Sequence, residues 1–381
     1  MEAGEPGIAP PRRMPPAVRA LLVLALLYLF LDGVRLLEGG IKGLGSDFTD
    51  TLFDGVSNPV AGLFVGVLAT VLVQSSSVTT ATIVGLVAGG VVTVEAAVPM
   101  IMGANIGTTV TNTLVSLAHV RRSNEFRLAF TAATMHDFFN VIVVSVLLPI
   151  EVLTNVLSTT AERIAEALSG GQSGVTFDSP IKGAVKWLAA RFEDLVDVVF
   201  LEDGTAFAVV LLVIGLTLIF LALTFVTKNM RVLVADRIER SLNAALAKSG
   251  LVGMAVGLVV TVAVQSSSIT TSILIPLVAS GVLIVRNAYP ITLGANVGTT
   301  ITALLAALGA GSVDGLTIAF VHTIFNVVGI ALVYPWPAIR YAPVRLAEGL
   351  AGIAMERKPL ALAYVATVFV AVPLVGMLIL R

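Results

Sequence analysis

Two polar clusters of identical composition sit in stretches otherwise apolar enough for a lipid bilayer. They are Gln74-Ser75-Ser76-Ser77 and Gln265-Ser266-Ser267-Ser268. Each is followed at one spacing by a run of small polar residues: Gly103-Ala104-Asn105-Ile106-Gly107-Thr108-Thr109, then Gly294-Ala295-Asn296-Val297-Gly298-Thr299-Thr300. Both motifs recur at an offset of 191 (265 − 74 and 296 − 105), so no gap separates them in either copy. This is internal duplication. Polar groups at membrane depth are costly, and a cluster kept twice marks a functional site.

Serine and threonine at the start of a helix are good N-caps, and the first backbone N–H groups there lack an intrahelical partner. With the helix dipole this makes an anion site. Two such tips facing each other can grip a small oxyanion with hydroxyl and amide donors. Neither polar tip region carries Lys or Arg, so a buried multivalent anion there needs bound cations to neutralise it. The Gly-Ala-Asn runs fit that role if they interrupt their helices. Unwound carbonyls, the Asn oxygen and Thr hydroxyls would form a neutral, hard-oxygen cage for a small alkali cation. Calcium would demand carboxylates, which these runs lack. The pattern therefore points to an anion whose binding depends on co-bound cations. The bland alternative is that these small residues only glue helices together. His136 with Asn140 and His322 with Asn326 form a second matched pair at helical spacing. They invite a proton-relay or Ser/His hydrolase reading, but hydrogen bonds between helices account for them better, and an enzyme has no reason to keep two equivalent sets. The expectation is a protein that is not an enzyme and has no cofactor beyond transported ions.

These motifs must be positioned by an all-α polytopic membrane protein. Hydrophobic residues are 57% of the chain and charged residues 12%, against about a quarter charged in soluble proteins; mean hydropathy is +0.98. A net charge of −1 argues against a nucleic-acid partner, and the absence of cysteine excludes disulfides and thiolate chemistry. Arg12, Arg13 and Arg19 precede an apolar run with no small-residue cleavage site after it, which reads as a retained first span rather than a signal peptide. Apolar segments at 18–38, 128–149, 205–227, 315–335 and 359–380 are long enough to cross a bilayer. So are 95–118 and 287–309, each predicted to be a discontinuous helix broken at its Gly-Ala-Asn run. The segments flanking each Gln-Ser-Ser-Ser cluster are too short to span, about 22 Å of helix against a core of about 30 Å. They predict re-entrant helical hairpins over 58–93 and 251–285. Gly62 and Gly66, Gly85 and Gly89, and Gly253 and Gly257 lie four apart on the arms, a spacing for close backbone approach.

Loop charge gives the orientation. With the N-terminal segment 1–17 in the cytoplasm, the acidic loop of Asp47, Asp50 and Asp54 falls outside, as do Glu95, the connection 150–204 and Asp314. Arg121, Arg122, Arg127, Lys228, Arg231, Arg237, Arg240, Lys248, Arg286 and the basic segment 336–358 fall inside, as the positive-inside rule requires. Membrane repeat 1 (18–149) and membrane repeat 2 (205–335) are each span, hairpin, broken helix, span. Three net crossings put the second copy upside down relative to the first, the inverted-repeat plan of secondary transporters. An extra span, 359–381, would carry the C-terminal end outside. The expected location is the inner (plasma) membrane as a multi-pass protein with lipid as its solvent; homodimerisation is left open.

The sequence resembles the type II sodium-dependent phosphate cotransporter family. The resemblance rests on Asn58-Pro59-Val60-Ala61-Gly62, both Gln-Ser-Ser-Ser copies, both Gly-Ala-Asn-x-Gly-Thr-Thr runs, Ala288-Tyr289-Pro290, the His136–Asn140 segment and Tyr334-Pro335. It implies inorganic phosphate as the anion and sodium as the cation, in a symporter coupling sodium influx to phosphate uptake. An exporter, a carrier of another oxyanion or a passive anion channel are the alternatives. It implies phosphate binding at Gln74, Ser75, Ser76, Ser77, Gln265, Ser266, Ser267 and Ser268. Sodium binding is implied at Gln74, Ser76, Gln265, Ser267, Asn105, Asn296, Thr299 and Thr302, with Thr108 and Thr111 as symmetry mates. Arg122 stands where electrogenic members carry an acid after the first broken helix, which leaves the stoichiometry open.

Overall fold

In the computed structural model, residues 14–44, 58–121, 123–169, 180–200, 204–245 and 250–380 are described, and every regular element among them is a helix. Arg122 and the acidic loop of Asp47, Asp50 and Asp54 lie outside the described residues. Six helices are long and apolar enough to cross a membrane. They are α1 (Pro16–Gly43), α6 (Ser123–Thr154), the apolar part of α9 (Gly204–Ala245), α12 (Val285–Ala310), α13 (Val313–Val333) and α15 (Pro359–Leu380, which contains a π turn at Thr367–Ala371).

The two polar clusters join pairs of shorter apolar helices, α2 (Pro59–Val73) to α3 (Ser76–Ala88) and α10 (Gly250–Val264) to α11 (Ser267–Ala279). Asn58 caps α2, its Oδ1 accepting from the Val60 and Ala61 amides, and Pro59 occupies the first helical position where no N–H is needed. Gly90 and Gly281, with φ of 76° and 77°, end the second arms in a left-handed turn.

At the first Gly-Ala-Asn run α4 (Val94–Gly107) gives way to α5 (Thr109–Ser116) at Thr108, whose backbone keeps helical angles (φ −54°, ψ −31°) and whose amide donates to the Ala104 carbonyl at 3.1 Å, so no unwound segment separates them. The second run shows no interruption at all. α12 runs unbroken through Gly294–Thr300, so the predicted discontinuous helix over 287–309 is corrected to a continuous one. The glycines have another purpose there. A Cβ on Gly257 would overlap the Ile291 carbonyl of α12, and one on Gly294 would overlap the Met254 carbonyl of α10. Gly66 and Gly103 stand in the same relation to Met100 and Leu63, 191 residues earlier. The runs are thus contact faces that bring α2 onto α4 and α10 onto α12 at backbone distance.

The first spans of the two repeats pack along each other, α1 on α9, with Gly33, Gly40 and Gly215 at the crossing. Each hairpin's second arm crosses to the opposite repeat: α3 packs on α12 and α13, and α11 packs on α5 and α6. Phe139, Tyr289, Ile101, Met102 and Phe325 lie in the shared core between them. The connection 150–204 is largely helical. α6 extends to Thr154, and α7 (Val156–Ser169) starts where Glu151 accepts from the Leu157 and Ser158 amides. It buries Leu157, Ala161 and Ala165 against α13. α8 (Pro180–Phe200) follows, and α14 (Ala342–Glu356) occupies the basic segment and packs on α6.

Candidate functional site

Each hairpin breaks at its glutamine. Gln74 and Gln265 adopt φ of 56° and 57°, left-handed conformations that end the first arm. The next residue restarts the chain as a helix: Ser75 caps α3 by accepting from the Val78 amide, and Ser266 caps α11 by accepting from Ile269. A non-glycine residue with positive φ is uncommon and is held by its surroundings. Here the glutamine side chains do the holding. Nε2 of Gln74 donates to the Val71 carbonyl and that of Gln265 to Val262, each fastened to its own helix end.

That leaves both glutamine Oε1 atoms facing the neighbouring helix. Thr111 on α5 donates to Gln74 Oε1 at 3.2 Å, and Thr302 on α12 donates to Gln265 Oε1 at 3.0 Å. The two bonds are related by the same offset of 191 residues. The tips also touch directly, Ser77 Oγ donating to the Gln265 carbonyl at 3.4 Å. Gln74, Ser75, Ser77, Thr111, Gln265, Ser266 and Ser268 line one cavity of about 960 Å³. Ser76, Ser267, Thr108 and Thr299 are buried and stand outside that lining. The environments of the mates differ: Gln74 is exposed to the cavity whereas Gln265 is only 8% exposed.

The cavity has a wall that the motifs gave no hint of. Thr224, Thr227, Lys228 and Arg231 of α9 line it. Both cations are exposed and neither makes an ion pair among the described residues. The positive charge absent from the hairpins therefore comes from a third element. A Lys and Arg one turn apart on an otherwise apolar span was the available signal, and loop-charge counting absorbed it as topology. A second cavity, about 360 Å³, is lined by Glu95, Glu162 and Asp314. Those carboxylates belong to the loops assigned to the outside by charge.

The two asparagines of the Gly-Ala-Asn runs are held by the opposite repeat. His136 Nε2 lies 2.8 Å from Asn296 Oδ1, and Asn296 Nδ2 donates to Asn140 Oδ1 at 2.9 Å. Asn140 Nδ2 donates to the Asn105 carbonyl at 2.8 Å, and Asn326 Nδ2 reaches Asn105 Oδ1 at 3.4 Å. All five side chains are buried. His136, Asn140 and Asn326 thus act as an interhelical clasp on the two asparagines, which are absent from the cavity lining; the His322 side chain takes no part in these bonds. Asn112 adds a further bridge, donating to Thr271 Oγ1 at 2.7 Å and accepting from Ser272 Oγ at 3.0 Å.

Chemically, this is a donor-rich neutral tip pair beside two cations that make no ion pair among the described residues, with polarised oxygens of Gln and Thr next to it. The profile of the Na+/Pi-cotransporter family matches residues 29–170 and 218–356, one stretch on each repeat. The chain belongs to that family. It is 33% identical over 444 aligned residues to the sodium-dependent phosphate transport protein 2B of Homo sapiens, covering 93% of this chain and 64% of that protein. It is 32% identical over 421 residues to the sodium-dependent phosphate transport protein 2A of Rattus norvegicus, covering 92% of this chain and 66% of that one. This family member therefore spans about two thirds of the length of the curated relatives it matches. No solved structure matches it significantly. The family matches stop at Glu356, so α15 lies beyond them.

Proposed function

We propose that this chain is a secondary active symporter that couples sodium influx to the uptake of inorganic phosphate across the plasma membrane. The observation that carries the reading is the convergence of both Gln-Ser-Ser-Ser tips on one cavity with Lys228 and Arg231 at its wall. Phosphate binds between the tips, where Ser75, Ser77, Ser266 and Ser268 supply hydroxyls and the N-termini of α3 and α11 supply amides. Sodium binds around the Gln74–Thr111 and Gln265–Thr302 pairs, with Thr108 and Thr299 three residues earlier in the chain and the buried Ser76 and Ser267 next to the glutamines in sequence. Asn105 and Asn296 shape the ion sites from the clasp. A cation placed there lowers the cost of burying a divalent anion, and the anion does the same for the cation; that mutual gain is the coupling. Phosphate uptake into proteoliposomes tests this. Accumulation should require an inward sodium gradient and not respond to potassium; equal uptake without sodium would establish a channel instead.

We read the two repeats as inverted and the cavity between the tips as open to the cytoplasm. Support comes from the unequal exposure of Gln74 and Gln265, and from Lys228 and Arg231, placed inside by loop charge, at the cavity wall. Equivalent halves in unequal states are what one-sided access through inverted repeats requires. The chain has no cysteine, so a single Ser268→Cys variant reports on the cavity alone. It should react with an impermeant thiol reagent from the cytoplasmic side only, and phosphate with sodium should protect it. Adding Lys228→Gln and Arg231→Gln should raise the phosphate concentration needed for protection and flatten its dependence on salt. Labelling from outside alone would reverse the assigned orientation.

A further inference from the structure

α14 takes no part in the transport site, and it is tied to the membrane at both ends. α13 stops at Val333 and α15 starts at Pro359, and each is long and apolar enough to cross a bilayer. α14 connects them, so both of its junctions lie at one surface of the membrane. Its 15 residues make about 22 Å of helix. Buried Ala351 and Ala354 seat one face on Phe126 and Phe130, at the start of α6. A second face carries Leu346, Leu350 and Ile353, spaced by four and three residues. Leu346 and Ile353 are 48% and 56% exposed, and the turn ahead of the helix adds exposed Trp336 and Ile339. Arg345, Glu348 and Glu356 fall on a third face. A helix with these three faces, fixed at the level where two spans enter the bilayer, lies in the interfacial plane with its leucine stripe in lipid. A second copy or a soluble partner could cover such a stripe, but neither accounts for that level.

Cations stand at both ends of the stripe. Before the helix, Arg340 lies over the Tyr334 ring at 4.8 Å, and Arg286 of α12 lies over Tyr341 at 5.2 Å. Arg345 donates to the Ala338 carbonyl at 3.0 Å and so holds the turn in place. After the helix, Arg357 and Lys358 are exposed and make no ion pair among the described residues. The first repeat supplies a comparison. α7 follows α6 as α14 follows α13, and the offset that relates His136 to His322 (322 − 136, or 186) carries its buried Ala161 and Ala165 onto Ala347 and Ala351. Each helix packs on the last span of the opposite repeat, α7 on α13 and α14 on α6. The packing repeats and the charge does not. Residues 340–358 hold four Lys or Arg and two Glu, whereas the equivalent 154–172 hold one Arg and two Glu. The extra cations serve no contact that the shared packing needs. We propose that α14 and the turn before it form an interfacial binding surface for anionic phospholipid headgroups. The apolar stripe sets the depth, Trp336 and the tyrosines sit at the boundary, and the terminal cations draw phosphate-bearing headgroups to either end. This requires only that the chain lies in a membrane, and is independent of the sodium-coupled reading.

Tryptophan quenching by brominated lipids tests the proposal on the full chain in vesicles. The chain has two tryptophans, Trp187 and Trp336, so Trp187→Phe leaves Trp336 as the only reporter of the turn. Trp187→Phe with Trp336→Phe and Ile353→Trp moves the reporter to the stripe, close to Arg357. At equal mole fraction in phosphatidylcholine vesicles, brominated phosphatidylglycerol should associate with each reporter about fivefold more tightly than brominated phosphatidylcholine, the gain from one Lys or Arg near an anionic surface. Added salt should shrink that ratio. Arg357→Gln with Lys358→Gln disturbs no side-chain bond among the described residues. It should bring the ratio at the Ile353→Trp reporter close to one and leave the ratio at Trp336 standing. Equal quenching by the two lipids at both positions would show a helix that rests on the bilayer without selecting headgroups, and would overturn the site. So would a ratio at the Ile353→Trp reporter that survives the Arg357→Gln and Lys358→Gln changes. Absence of quenching by either lipid would show that protein, a second copy or another chain, covers the stripe.

Discussion

Gln265→Ala is expected to cut sodium-driven phosphate uptake by roughly 5- to 150-fold while leaving the protein inserted and folded. The residue makes three contacts at one tip: Oε1 accepts from Thr302, Nε2 donates to Val262, and its carbonyl accepts from Ser77 of the other hairpin. Alanine keeps the last and loses the first two. It also leaves the Thr302 hydroxyl unsatisfied in a buried site, a cost of about 1–3 kcal/mol. Thr302→Val should do less by itself and should raise the sodium requirement more than the phosphate requirement. Because the two side chains share one bond, the double variant should lose less than the sum of the singles. Ser267→Ala belongs to the same series, since Ser267 is buried beneath the tip. Initial rates across sodium and phosphate titrations in proteoliposomes check all of these. Wild-type transport in Gln265→Ala would remove the hairpin tip from the mechanism.

The helices and the duplicated motif were legible because membrane chemistry writes them plainly. A span needs a long apolar run, and the hairpin arms fell short of it by composition alone. Ser75 and Ser266 were readable as caps from residue type and position, and both are. The second Gly-Ala-Asn run was misread because glycine carries two opposite messages. It weakens a helix by intrinsic propensity, yet in a membrane it also lets a neighbouring backbone come close. Only the position of α10 decides between them. Lys228 and Arg231 were read as topology rather than as site residues for a related reason: nothing in one span says which cavity its basic end overhangs. The helices inside 150–204 could have been found. Leu157, Ala161 and Ala165 recur at helical spacing after an acidic residue, Glu151, placed to cap them.

Gly257→Ala should destabilise the chain by about 1–3 kcal/mol or more, and the same holds for Gly294→Ala. The new methyl group on Gly257 would overlap the Ile291 carbonyl and approach the Ala295 amide, and that on Gly294 would overlap the Met254 carbonyl. These are backbone atoms in continuous helices, so they cannot rotate away as a side-chain end could. α10 would have to lift from α12, carrying Gln265 away from Thr302. Transport should fall with stability, and the midpoint of thermal unfolding in detergent should drop. Gly352→Ala supplies the contrast, since nothing lies within 4 Å of its added Cβ. There alanine should stabilise α14 by about 0.5–1 kcal/mol through helix propensity. The sign at Gly294 separates two accounts of the motif. If the glycines served to unwind α12, alanine would strengthen the helix and raise the midpoint while closing the ion site. If they serve close approach, the midpoint falls. The continuous helix and the backbone contacts require the fall, and the symmetric pair Gly66 and Gly103 should repeat it in the first half.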